Sequence, residues 1–200
     1  MNSGYFYEYA NLLERVFSYA YKNLYSYGML EKKIAYSSFF QSIEKSDDNG
    51  CIIDERSLIK EVFDLEDVDM YIVPTYKQCM WLAESYLTIQ KETHLSFEAI
   101  FLYIPIKRMY EYYHLYHEMD FSLIVEEFKE AYKNESIFSI LLNRFNYSLK
   151  DISRDLGLSY DSLNSYKQRR RNIKKLNVIS ACKLANFFKV RVETLIELGM

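Results

Sequence analysis

The stretch Ser148–Asn172, "SLKDISRDLGLSYDSLNSYKQRRRN", decides how this chain is read. A serine opens an apolar pattern at Leu149, Ile152 and Leu156, a glycine closes it, and Ser159 opens another with Leu163 and Tyr166. Serine side chains accept the orphan amides of a helix's first turn, and glycine tolerates the left-handed conformation that ends one. Tyr147 with Ile152, and Leu158 with Leu163, have the spacing of hydrophobic staples around the two caps. Two short helices joined by a turn at Gly157 follow.

The second of these helices has divided faces. At about 100° per residue, Leu163 and Tyr166 point toward the other helices, while Asp161, Asn164, Ser165 and Gln168 point away, with Tyr160 at the edge. The outward face is small, polar and rich in hydrogen-bonding groups. It runs into a basic segment, with six Lys/Arg in the nine residues from Lys167 to Lys175. Lys167, Arg169, Arg170, Arg171, Lys174 and Lys175, with Ser148 at the first cap, are the candidates for phosphate contact.

Flanking patterns complete a helical unit. Ile137, Ile140, Leu141 and Phe145 stripe a helix before the pair. Val178, Ala181, Cys182, Leu184, Ala185 and Phe188 stripe a fourth, and Val192, Leu195 and Ile196 a fifth. With "KLANFFKVRVETLIE" as its closing helices, residues 134–198 resemble the helix-turn-helix domain of the lambda-repressor-like (Cro/CI, or XRE) family. The resemblance implies a DNA-binding domain of five helices whose third, opened by Ser159, enters the major groove, with Tyr160, Asp161, Asn164 and Ser165 facing bases. Gln168, on the same outward face, joins them. Leu149 stands where the family often has a phosphate-contacting glutamine, Arg169 where glycine is frequent, and Arg191 where the last helix is usually capped.

The charge distribution agrees with a polyanion partner for this end of the chain. The net charge is −3. Residues 1–143 hold 13 Lys/Arg against 23 Asp/Glu, a balance of −10, and residues 144–200 hold 12 against 5, a balance of +7.

The remainder reads as further helices. Phe6, Tyr9, Ala10, Leu13, Val16, Phe17, Ala20 and Leu24 follow helical spacing, with Glu8, Asn11, Arg15, Ser18 and Lys22 on the other side. Thr75 and Gln78 have capping-box spacing ahead of a stripe of Tyr76, Cys79, Met80, Ala83, Tyr86 and Leu87. Helices are also expected near 105–118 and 120–133, loops and short helices over the acidic 44–69, and brief strands at "CII" and "MYIV". The chain is therefore expected to be mainly all-α, with a helical, acidic, tyrosine-rich domain over 1–133 and a helix-turn-helix domain over 134–200. Seven of its 20 tyrosines lie between Tyr5 and Tyr27. Such side chains suit half-buried surfaces and interfaces.

Other chemistries find little footing. Placing Gly50 sixth in a calcium loop puts Lys45 first and Arg56 last, where oxygen ligands belong. His114, His117 and Glu118 share a helical face but lack further ligands. Cys51, Cys79 and Cys182 form no close pair, and no nucleophile elbow or phosphate-cradling glycine loop occurs. No enzyme activity, metal or cofactor is expected. The apolar run Ile100–Ile106 is far short of the roughly 20 residues that span a bilayer. Glu8 and Glu14 fall where a signal peptide would be uncharged, so a cytoplasmic protein, bacterial or phage-encoded, is expected.

Two functions fit these features. One is a sequence-specific transcription regulator that binds double-stranded DNA as a homodimer, with 1–133 supplying dimerisation, sensing or partner contacts. The other is an inhibitor or antitoxin-like protein whose partner binds 1–133 and whose helix-turn-helix controls its own promoter or only packs.

Overall fold

Scarce glycine and proline leave long uninterrupted helical patterns, and the structure realises them. The computed structural model describes residues 3–45, 53–65 and 76–197. Among the described residues there are thirteen α-helices, a 3-10 turn and no strand. The chain is all-α. It divides into two compact units, Met1–Glu127 and Phe128–Met200. The composition changes slightly later, near Lys133.

The first unit is built on α1 (Ser3–Lys22), which packs against α4 (Glu55–Phe63) and α5 (Lys77–Thr93). The expected stripe supplies its buried face: Tyr9, Ala10, Leu13, Val16, Phe17 and Ala20. Two residues depart from that pattern. Leu24 lies past the helix end, at φ 57° and 90% exposed. Ser18 is buried because its hydroxyl donates to the equally buried Glu14. α2 (Tyr27–Tyr36) packs on α3 (Ser38–Glu44), on α6 (Phe97–Tyr103) and on α7 (Ile106–Tyr116). α6 is buried at every position, and α5 buries Trp81, Leu82 and Ile89 besides the expected Ala83, Tyr86 and Leu87. The α5 stripe is therefore wider than its period suggests, since helices cover it from more than one side.

Glutamates from other helices close several helix starts in this unit. The Glu31 carboxylate accepts the Ile106 amide at 2.8 Å, Glu44 accepts that of Phe97 at 2.7 Å, and Glu61 accepts that of Phe39 at 3.1 Å. Each of these amides lies in a first turn, where no intrahelical acceptor exists. At α5 the N-cap position belongs to Tyr76, whose side chain makes no cap bond, and its amide donates to Glu14 at 3.4 Å. Thr75, "MYIV", and most of "SDDNGCIIDER" lie outside the described residues.

α8 (Ser122–Asn134) contains the division between the units. The second unit continues with α9 (Ile137–Phe145), α10 (Leu149–Leu156), α11 (Tyr160–Lys167), the 3-10 turn Ile173–Lys175, α12 (Val178–Phe188) and α13 (Val192–Glu197). Its core holds Phe138, Leu141, Ile152, Leu163, Leu184, Phe188 and Leu195. The Phe138 and Phe188 rings meet edge to face at 5.7 Å. Full burial of each such side chain contributes roughly 1.5–3 kcal/mol before entropy costs. Val178, expected in the core stripe, is instead 76% exposed: it opens α12 ahead of the first inward-facing position, Ser180.

Candidate nucleic-acid interface

The turn between α10 and α11 is set by local chemistry. Ser148 Oγ accepts the Asp151 amide at 3.2 Å while the Asp151 carboxylate accepts the Ser148 amide at 3.2 Å, a reciprocal capping box. Hydrogen bonds from Ser148 hold the Asp151 carboxyl below its usual pKa. Gly157, at φ 65° and ψ 31°, ends α10 in the left-handed conformation. The Ser153 hydroxyl then donates to the Leu158 carbonyl at 2.7 Å, and Ser159 Oγ accepts the Ser162 amide at 3.5 Å to open α11. α10 and α11 pack on one another, and α11 also packs on α9.

The faces of α11 divide as its period predicts. Leu163 and Tyr166 are buried; Tyr160, Asp161 and Gln168 are exposed, and Asn164 and Ser165 are half-buried. The Ser165 hydroxyl donates to the Asp161 carbonyl at 2.7 Å, which leaves the oxygen's acceptor capacity free for another partner.

From the last residue of α11 onward the basic residues separate into two groups. Lys167, Arg170, Arg171, Lys174 and Lys175 are exposed. The Arg170 and Arg171 amides both donate to the Ser165 carbonyl, at 2.9 and 3.2 Å, and Arg171 Nη1 donates to Ser162 Oγ at 3.4 Å. The basic segment thus folds back along α11. Buried Ile173 and the packing of α13 on the 3-10 turn fix where Lys174 and Lys175 stand. Arg169 differs, because its guanidinium is occupied by the backbone carbonyls of Tyr132, Lys133 and Glu135. Ser148 is also engaged, by Asp151.

Two further contributors leave no mark in the helical period. Asn172 Oδ1 accepts the Lys174 amide at 2.8 Å and so shapes the 3-10 turn; an asparagine two residues before a lysine pair is the only trace of this in the sequence. Lys183 Nζ donates to the Leu156 carbonyl at 3.4 Å, adding a cation beside the Gly157 turn.

Elsewhere, His117 caps the end of α7, with Nδ1 2.9 Å from the Tyr113 carbonyl and Nε2 3.7 Å from Glu118. Among the described residues no three potential metal ligands come together, and no helix is long and apolar enough to cross a membrane.

Set against models of protein families, curated proteins and solved structures, the chain matches none.

Proposed function

We propose that the second unit binds double-stranded DNA and that the protein is a sequence-specific transcription regulator of the lambda-repressor-like, XRE type, working in a bacterial or phage cytoplasm. One observation carries this reading. A helix opened by Ser159 turns Leu163 and Tyr166 into the core and leaves a polar outward face, followed at once by the exposed Lys167, Arg170, Arg171, Lys174 and Lys175. A polar helix face is what reads base edges in a major groove, and flanking cations neutralise phosphates.

In this reading Asn164 and Gln168 each offer the paired donor and acceptor that adenine N6 and N7 require. Tyr160, Asp161 and Ser165 supply shorter or single contacts. Asp161 accepts a hydrogen bond from cytosine N4, and as an acid in the first turn of α11 it also favours the positive end of the helix. A single recognition helix covers few base pairs, so the protein acts as a homodimer on half-sites about 34 Å apart, held together by its first unit. The exposed Tyr7, Tyr21, Tyr27 and Tyr36 of that unit are candidates for the shared or partner surface.

Mapping the genomic DNA bound in cells tests the reading. Many discrete sites sharing one motif are expected. A single site upstream of the protein's own gene would favour an autoregulated inhibitor instead, and none would exclude DNA binding.

A further inference from the structure

α11 ends in a reversal of the chain. The Arg169 amide donates to the Tyr166 carbonyl at 3.1 Å and the Arg170 amide to the Ser165 carbonyl at 2.9 Å, the two bonds of a Schellman turn. Arg169 occupies the left-handed position of that turn, at φ 55°. Glycine is the usual residue there, because a Cβ is strained in this conformation. Contacts made by the arginine side chain can offset that strain.

The Arg169 side chain makes such contacts. Nη1 donates to the Lys133 carbonyl at 2.7 Å, and Nη2 donates to the carbonyls of Glu135, at 2.6 Å, and Tyr132. The guanidinium carbon lies 5.9 Å from the centre of the Tyr132 ring. Tyr132 and Lys133 belong to the last turn of α8, where carbonyls lack intrahelical partners and the negative end of the helix attracts a cation. A second tie runs alongside. The Ser136 hydroxyl, at the cap of α9, donates to the Lys167 carbonyl at 2.8 Å.

We infer that Arg169 is a positioning residue of the nucleic-acid surface: it straps the end of α11 to the end of α8, and so sets where Arg170 and Arg171 stand, rather than neutralising a phosphate itself. This rests on the DNA-binding reading above. Three of the five guanidinium N–H donors are already spent on carbonyls, which fixes the fork against the end of α8. The geometry also requires arginine specifically. Lysine carries the same charge as a compact ammonium and cannot span the three carbonyls as a planar fork does.

The full-length chain and its Arg169→Lys, Arg169→Ala and Arg170→Ala variants test this by two readouts. One is hydrogen exchange at the Arg170 and Arg171 amides. The other is binding of a mixed-sequence DNA duplex across a range of salt. Both Arg169 variants are expected to speed exchange at these amides and to weaken duplex binding by about tenfold, since lysine restores charge but not the strap. Their salt slopes should change less than that of Arg170→Ala, which loses a phosphate contact and about 0.9 in slope.

The opposite pattern overturns the inference: Arg169→Lys indistinguishable from wild type, and Arg169→Ala losing about 0.9 in slope with exchange unchanged. If the wild-type chain bound no duplex even at low salt, the DNA-binding reading would fall, and with it the role of Arg169 at a nucleic-acid surface. Exchange in Arg169→Lys would still decide the strap, with fast exchange supporting it and wild-type exchange overturning it.

Discussion

The Glu31 carboxylate on α2 accepts the amide of Ile106 at the start of α7 at 2.8 Å, from 75 residues away in the sequence. The side chain is buried, so the bond forms away from water, and it closes a helix whose own N-cap residue, Pro105, makes no side-chain cap bond. α2 and α7 are thereby joined by chemistry as well as by packing.

Replacing Glu31 with leucine should therefore destabilise the first unit by about 1–3 kcal/mol, the cost of leaving a buried amide without its acceptor. Glu31→Gln keeps an acceptor oxygen and should lose less. Urea unfolding of the full chain followed by tryptophan fluorescence from Trp81, itself in this unit, measures both. Equal losses for the two variants would show that the acceptor is not what matters.

Acid should weaken the same unit through Glu61. Burial acts to raise its pKa, but hydrogen bonds from the Ser37 and Ser38 hydroxyls and the Phe39 amide outweigh it and leave the pKa lowered. A carboxylate with a depressed folded pKa stabilises the protein above the unfolded value, about 4.3 for glutamate, and loses that contribution as pH falls through the lower folded value. The urea midpoint should drop over that acidic window, and Glu61→Gln should flatten the drop. An unchanged acid limb in the variant would place the titrating group elsewhere.

The two left-handed turns that bracket α11 should respond in opposite senses to loss and gain of a Cβ. Gly157 has φ 65° and open space around it, so Gly157→Ala should cost about 1–2 kcal/mol from backbone strain alone. At Arg169, φ 55°, both Arg169→Ala and Arg169→Gly forfeit the bonds to α8, but glycine relieves the strain. Arg169→Gly should therefore be the more stable of the two by about 1 kcal/mol. Thermal melts of the three variants rank them, and an Arg169→Ala protein that matched or exceeded Arg169→Gly would remove strain from the account.

Base choice and affinity should separate on the outward face of α11. Asn164→Ala and Gln168→Ala are expected each to relax preference at one position per half-site, a discrimination worth roughly 1–3 kcal/mol, while nonspecific affinity stays nearly intact. Arg170→Ala, Arg171→Ala and Lys174→Ala are expected to weaken all duplexes alike and to flatten the salt slope by about 0.9 per lost contact. Selection from random DNA, with salt titrations alongside, distinguishes the groups. Identical selected motifs for wild type and the Asn164 and Gln168 variants would exclude this face from base reading.

Light scattering on the protein alone and with DNA addresses assembly. A dimer is expected in both states, and a monomer in both would rule out the two-half-site arrangement.

The caps Ser148 and Ser159, the Gly157 turn and the inward Leu163 and Tyr166 were legible in the sequence because each depends on partners within about five residues, where helical geometry dictates who meets whom. The polar face of α11 follows from the same period. Tertiary structure decided the rest. Arg169 reads as one more cation in a basic run, and only the placement of the α8 end beside it turns it into a cap. Ser18 reads as a surface residue and becomes the buried partner of Glu14, and Val178 reads as core and lies in solvent. Periodicity tells which side chains share a face; which neighbour covers that face, and which orphan amide or carbonyl a charged side chain reaches, depends on contacts between residues far apart along the chain.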